Sequence, residues 1–362
     1  MKAVILAGGF GTRLRPLSCT RPKILFPIVN KPLLEWTFER LAKHKVNEVI
    51  MAVNHQTEIA MKQHRIPHHG LKIKYSRDPP AKPLGSGGPI KKAEKLVGHE
   101  SPFLVLNGDI FADINYEELL EKHKKTKAVA TIALTKVEDP SRYGVAELEK
   151  DGHIERFIEK PPKEEAPTNL INVGVYVLSP EIFDYIPVGK KVSIEREIFT
   201  KLAENGKLYG HVFDGLWFDI GEPEDYLHLN KTLLSMVANQ QKLKARSNGK
   251  IEKPVAFDKG VFVGEGSVIG PNVVLGRNVH IGKNVHIRES IVFAETVISD
   301  SCSINSAIIG NDVTIGKGVK IEKGCILADH VKVKDNVTLA AGVSVCPARE
   351  ITENVLTSKN VC

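Results

Sequence analysis

The stretch "AGGFGTRLRPLSCTRPK", Ala7 to Lys23, places Gly8, Gly9 and Gly11 directly after an apolar run and follows them with Arg13, Arg15, Arg21 and Lys23. Glycines at a strand end let backbone amides turn toward an anion, because a Cβ would block both the turn and the close approach. Arg13 and Lys23 add charge that amides cannot supply. The chemistry this suits is the holding of phosphate. The spacing is neither GxGxxG nor GxxxxGK[ST], so dinucleotide and P-loop ATPase readings fit poorly. A second chemistry resides in two aspartates: Asp109 closes the apolar run "FLVLNGD", and Asp219 follows Trp217 and Phe218. Carboxylates at the carboxyl edge of buried strands sit where open α/β sheets bind ligands, and Mg2+ takes one or two carboxylates together with phosphates. Taken singly, each aspartate serves equally well as the cap of a turn. Glu159-Lys160 in "FIEKPP" is a paired acid and base ahead of two prolines, a combination that elsewhere is ordinary surface.

The elements that must position these residues follow from apolar patterning. Ala3–Gly8, Val49–Val53, Phe103–Asp109 and Ala130–Thr135 are nearly unbroken apolar runs, as expected of parallel strands covered on both faces. Helical spacing runs from Pro32 to Lys45, and again through "SIEREIFTKLAENG", with Ser193 as N-cap and Gly206 beyond the end. Alternating strands and helices imply a doubly wound α/β domain. From Val263 the texture changes. Val263, Ile269, Leu275, Ile281 and Ile287 are six apart, and the period returns at Ile309, Ile315, Ile321, Leu327, Val333, Leu339 and Val345. The two runs are out of phase, which requires a slip or a protruding loop between Ile287 and Ile309. Such hexads predict a parallel β-helix. The reading is a catalytic domain over 1–229, a helical and polar linker over 230–254, and a repeat domain over 255–362.

A length of 362 residues exceeds what one core usually fills, which agrees with that division. Apolar content of 42% and charged content of 26% are ordinary for a soluble protein, and a net charge of +7 suits acidic small molecules as readily as polynucleotides. No basic run is interleaved with aromatics, which disfavours nucleic acid. No apolar stretch reaches membrane-spanning length, and the first residues enter a strand directly without a signal peptide. Cys19, Cys302, Cys325, Cys346 and Cys362 form no CxxC pair, so reduced thiols in a cytoplasmic protein are expected, with neither a disulfide frame nor a zinc site.

"GGFGTRLRPLSCTRPK" resembles the signature of the sugar-1-phosphate nucleotidyltransferases, and the likeness continues in order through "PLGSGGPI", "VLNGD", "YGV", "FIEKP", "INVGVYVLSP" and "WFDIGEP". The combination with "VSIEREIF" looks most like the GDP-mannose pyrophosphorylase branch. The resemblance implies a Rossmann-like mixed sheet followed by a left-handed parallel β-helix, and transfer of a nucleotidyl group from a nucleoside triphosphate to a sugar 1-phosphate. GTP and mannose 1-phosphate are the implied partners, Mg2+ the cofactor, and a homo-oligomer the assembly. Carried onto this sequence, it puts Leu6, Ala7, Gly8, Gly9, Gly11, Thr12, Arg13, Lys23, Pro83, Gly85, Ser86 and Gly108 at the nucleotide. Gly144, Glu159, Lys160, Asn172 and Gly174 fall at the sugar phosphate, with Glu159 on hydroxyls and Lys160 on phosphate. Asp109 and Asp219 hold the metal, and Arg13, Lys23, Asp109, Lys160 and Asp219 carry catalysis. Ser86 and Gly87 depart from the usual Thr and Ala, and Lys82 reverses a charge where many relatives carry Glu.

Other readings stand beside this one. A glucose-1-phosphate uridylyl- or thymidylyltransferase shares the same motifs. His280 and His286, six apart and so read as stacked on one face of successive coils, could make the repeats an acyltransferase, or could form a solvated ladder. Every residue assigned to chemistry precedes Val263, so a chain ending near Lys250 is expected to keep the whole constellation.

Overall fold

In a computed structural model, the described residues are 1–9, 11–79, 83–237 and 246–362. The chain divides into two compact units: Met1–Gly9 with Leu34–Asp219, and Phe10–Leu33 with Ile220–Cys362.

The first unit is built from β1 (Lys2–Ala7), α1 (Leu33–Lys43), β2 (Glu48–Val53), α2 (His55–His64), β3 (Lys72–Arg77), α3 (Gly87–Val97), β4 (Phe103–Asn107), β5 (Ile110–Ala112), α4 (Tyr116–Thr126), β6 (Ala130–Lys136), β7 (Gly144–Leu148), β8 (Ile154–Glu159), β9 (Leu170–Leu178), α5 (Thr200–Glu204), β10 (Leu208–Val212) and β11 (Trp217–Asp219). Strands β4, β1, β2 and β3 lie side by side in parallel. Strand β9 runs antiparallel to β4 and pairs on its other edge with β6 and, at one residue, β7. The nine-stranded sheet is therefore mixed. Val4, Ile50, Val105, Ile132 and Tyr176 share its buried face with Ile90, Phe183 and Phe199 from the covering helices. The expected strands agree with the observed ones to within two residues. Helix α1 begins one residue after Pro32, because Lys31-Pro32 pairs with Pro27-Ile28. Ser193 caps its helix by accepting from the Arg196 amide at 3.2 Å, but Ile194–Phe199 is wound as a π-helix before α5 begins. An inserted π turn re-aims side chains and frequently marks a functional segment.

The second unit contains α6 (Pro223–Val237) and a three-faced parallel β-helix. The segment read as a linker thus starts inside a helix, and short strands at Arg246–Ser247 and Lys250–Ile251 already belong to the first coil. A coil takes eighteen residues, as in Val263↔Ile281, and a hexad advances one face. The phase change is a slip. Ile287 is followed five residues later by inward-facing Val292, and Ile304 by Ile309, so two corners are one residue shorter. Glu289 and Ser306 take positive φ at those short corners, of 50° and 47°.

Two expectations are corrected by this register. His280 and His286 lie on different faces of one coil, because six residues move the chain around a corner; His280 stacks instead on Phe262, one coil earlier, at 4.6 Å. Cys346 and Cys362 form a disulfide, against the expectation of reduced thiols throughout. Ser344–Val345 pairs in register with Asn360–Val361, so the residue after each strand meets its neighbour one coil away. Cys302 and Cys325 are buried thiols, and Cys19 is exposed.

Outward residues on the three faces differ sharply. One face shows Phe262, His280, Val297, Thr314, Lys332 and Glu350, and the next shows Val268, His286, Ser303, Lys320 and Thr338, both mostly polar. The third shows Val274, Ile291, Ile308 and Ile326, all nearly inaccessible. An apolar outer row must be covered, and α6 together with residues 11–33 covers it. Phe26, Tyr226 and Phe293 meet edge to face, Asn30 donates to the Leu275 carbonyl at 3.0 Å, and buried Asn230 accepts from the Val29 amide at 2.8 Å.

Candidate active site

At the end of β1 the chain is fixed from both sides. The Gly108 amide donates to the Leu6 carbonyl at 2.8 Å, and Asn54 donates to the Gly8 carbonyl at 3.0 Å. Ala7 is buried and Gly9 has open space around it, leaving backbone accessible at the strand edge. The loop containing Pro83, Gly85 and Ser86 is tied to the segment before the π-helix. Val192 donates to Leu84 O and accepts from Gly87 N, at 3.0 and 2.9 Å, and a Cβ on Gly85 would come within 2.2 Å of the Val192 carbonyl. Lys82 lies outside the described residues.

The aspartates are brought together by a small sheet of their own. Strand β11 runs antiparallel to β5 with Asp219 opposite Ile110, the residue after Asp109. Trp217 anchors this ribbon: its indole donates to the Val173 carbonyl at 3.0 Å, and its ring meets Tyr143 edge to face at 5.1 Å. Two half-buried carboxylates on adjoining strand ends form an all-oxygen donor set, which suits Mg2+ in chemistry and in number.

Those Trp217 partners, Val173 and Tyr143, are chain neighbours of Asn172, Gly174 and Gly144, which the sequence reading expects at the sugar phosphate. Glu159 stands opposite Gly144 in the β7–β8 pair, and a Cβ on Gly144 would lie 2.7 Å from a Glu159 carboxylate oxygen. Lys160, exposed and at φ 55°, keeps its ammonium 4.0 Å from Glu159. A register shift in β9 between Asn172 and Tyr176 turns the Asn172 amide toward the Gly174 N–H and the Tyr176 hydroxyl, at 3.0 and 3.1 Å. Gly174 has φ +77°, and a Cβ there would strike Asn107 at 2.6 Å, so only glycine lets β9 approach the Asn107–Asp109 turn. A cavity of about 420 Å3 opens beside Glu159, lined also by Arg156, Arg196 and Thr200.

Sequence reasoning missed Glu195. Its carboxylate accepts from Ser86 and Ser193 at 2.5 and 2.9 Å, and from Tyr176 at 3.4 Å, joining the loop of Ser86 to Asn172. Burial pushes the Glu159 carboxyl up, the Glu195 charge adds to this, and Lys160 and Arg196 oppose it. Glutamate in a predicted helix is too common to have signalled any of this.

The remaining residues that the sequence reading expects at the nucleotide, Gly11, Thr12, Arg13 and Lys23, belong to the second unit. Gly11 is left-handed at φ +59°, and a Cβ would press to 2.9 Å on the Lys23 stem, so glycine serves both the turn and the lysine's path. Thr12 opens the short helical turn carrying Arg13. Arg13 lies 3.4 Å from Glu222 and against Gly221. Both partners of that ion pair are exposed, so exchanging it for phosphate costs little. Farther along, Thr20 donates to Asp329 of the β-helix at 2.8 Å, and Arg21 lies over Phe293. Arg13 and Lys23 therefore ride on a segment that the repeats support. A chain ending near Lys250 would not keep that support, contrary to the sequence expectation.

A nucleotidyl transferase family model matches residues 2–236, and a GMPPB C-terminal domain model matches 251–361. The chain belongs to the nucleotidyl transferase family. It is 43% identical over 263 residues to the mannose-1-phosphate guanylyltransferase catalytic subunit beta of Dictyostelium discoideum, covering 71% of each chain. It is 44% identical over 229 residues to the protein of that name from Danio rerio, covering 63% of each. Among solved structures, HddC from Yersinia pseudotuberculosis complexed with GMP-PN is similar with a TM-score of 0.55 and 30% identity, over 64% of this chain and 99% of that one. Among the described residues, no helix is long and apolar enough to cross a membrane.

Proposed function

We propose that the chain catalyses formation of GDP-mannose and pyrophosphate from GTP and mannose 1-phosphate. The observation that carries this reading is the β5–β11 ribbon, which sets Asp109 beside Asp219 and is pinned through Trp217 to the sugar-side residues. The names of the relatives support guanine and mannose.

An oxygen of the sugar phosphate attacks the α-phosphorus in line, the bond to the β-phosphate oxygen breaks, and pyrophosphate leaves. The attacking oxygen is already ionised, so no general base is needed. The burden is alignment of two anions and neutralisation of their charge. Backbone from Leu6 to Gly9 and at Gly11, Gly85 and Gly108 approaches the nucleotide, with Pro83 shaping its loop. Thr12, Ser86, Arg13 and Lys23 complete that side, the last two placing positive charge on the phosphates. Glu159 accepts from sugar hydroxyls, Asn172 contributes an amide, Gly144 and Gly174 admit the ring, and Lys160 neutralises the sugar phosphate. Asp109 and Asp219 would hold Mg2+, which when bound neutralises charge on the phosphate oxygens. A cytoplasmic homo-oligomer completes the proposal.

The test is pyrophosphate release across GTP, ATP, CTP, UTP and dTTP, each with mannose 1-phosphate and glucose 1-phosphate. GTP with mannose 1-phosphate should give the highest kcat/KM. A maximum at UTP or dTTP with glucose 1-phosphate would replace this reading with a uridylyl- or thymidylyltransferase.

A further inference from the structure

Asp78 follows β3 directly, and its backbone amide donates to the Val53 carbonyl at 2.9 Å, which keeps it level with the end of β2. Its Oδ2 stands 2.9 Å from where a Cβ on Gly8 would be, so the carboxylate faces the glycine that opens the phosphate-binding stretch. Its Oδ1 is buried and has no hydrogen-bond partner among the described residues. Buried carboxylate oxygens are normally satisfied, and one that is not calls for a donor beyond those the described residues supply. The nearby cation does not supply it: Lys92 Nζ donates to the Arg77 carbonyl, and Oδ1 has no partner among the described residues. Burial pushes this carboxyl up and Lys92 opposes the shift, as expected of a desolvated acceptor still lacking its donors.

Resting on the guanylyltransferase reading above, we propose that Asp78 is the specificity-determining residue for the base, accepting hydrogen bonds from guanine N1–H and the 2-amino group. The chemistry of the bases selects guanine. A carboxylate only accepts, and its two oxygens match two adjacent donors. Guanine alone among the common bases presents adjacent donors on one edge. Uracil and thymine flank N3–H with carbonyls, whose lone pairs would face the carboxylate. Adenine and cytosine each place an acceptor nitrogen beside their amino group. A site built around a buried acceptor rejects bases that leave it unpaired far more strongly than a site relying on shape.

The experiment compares GTP, ITP and XTP, each with mannose 1-phosphate, on the full chain and on Asp78→Asn. ITP lacks the 2-amino donor, so the unaltered protein should use it roughly ten- to a hundredfold less well in kcat/KM, the loss typical of a hydrogen bond to a charged group. XTP carries a carbonyl in place of that amino group. The carboxamide introduced by Asp78→Asn can accept from N1–H and donate to that carbonyl, so the variant should reverse the preference of the unaltered protein for GTP over XTP. A merely structural aspartate would not produce that exchange. Equal use of ITP and GTP by the unaltered protein would overturn the inference, and so would a GTP-to-XTP ratio unchanged in the variant. The ITP comparison stands even if Asp78→Asn fails to fold. A preference of the unaltered protein for UTP or dTTP would instead overturn the guanylyltransferase reading beneath it.

Discussion

Residues 11–33 and the pocket around Glu159 both carry cations proposed to meet phosphate, yet the two are held in opposite ways. The pocket is braced from within the α/β unit: Trp217 ties the aspartate ribbon to Val173 and Tyr143, and Glu195 ties Ser86 to Tyr176. The phosphate segment has its braces in the second unit, from Thr20 on Asp329 to Asn30 on Leu275 and the Phe26–Tyr226–Phe293 cluster. A repeat domain with no residue assigned to chemistry is thus the bed on which Arg13 and Lys23 lie. The comparison teaches that the border of folding and the border of function fall in different places along this chain.

The strongest way to break that comparison is to remove the bed. A chain lacking 246–362 should keep its α/β unit folded and still bind mannose 1-phosphate, while turnover falls by roughly a hundredfold or more, since small misplacements of positioning groups carry costs of that order. Calorimetric binding of the sugar phosphate alongside pyrophosphate release separates the two effects. A soluble truncate working within about tenfold of the full chain would show that the segment needs no support.

Much of this was legible beforehand, and the gaps have physical causes. The inward residue of each hexad announced the β-helix, because a shared interior demands an aliphatic residue every sixth position. The outward residue was equally informative: Val274, Ile291, Ile308 and Ile326 form an unbroken apolar outer row on one face, and that row required a cover. Reading one residue per hexad concealed that face and with it the bracing of residues 11–33. The same counting put His280 above His286, where the coil puts a corner between them. Asp109, Asp219 and Glu159 were visible through their motifs. Asp78 and Glu195 were not, because their significance lies in partners distant in sequence or, for Asp78 Oδ1, lacking among the described residues.

A smaller effect sharpens the other half of the comparison. Glu195→Gln keeps the side chain's shape and removes the charge that helps raise the Glu159 carboxyl. Glu159 accepts from two sugar hydroxyls most strongly when ionised, so its protonation sets an acid limb in kcat/KM for mannose 1-phosphate. Burial and Glu195 move that limb to higher pH, whereas Lys160 and Arg196 move it lower. The variant should therefore shift the limb to lower pH, with the sugar KM raised by about tenfold from the weakened link to Tyr176 and Ser86. A limb that stays in place while KM rises would leave Glu195 a purely structural tie.

The smallest expected effect tests a single brace. Thr20→Val removes the hydroxyl that donates to Asp329 and preserves the volume of the side chain. The β-helix itself should be undisturbed, because Asp329 still accepts from the Asn311 amide at 2.7 Å and so keeps its corner. Thr20 is exposed, so the bond competes with water and contributes about 1 kcal/mol, or roughly fivefold in an equilibrium constant. That loss should fall on the nucleotide, as a drop of about fivefold in kcat/KM for the triphosphate, because Arg13 and Lys23 flank the loosened residue on the same segment. The KM for mannose 1-phosphate should not move, since the pocket around Glu159 is braced through other residues. An equal effect on both substrates would mean that the segment and the pocket share one support. Unchanged triphosphate kinetics would mean that the aromatic cluster and Asn30 hold the segment without Thr20.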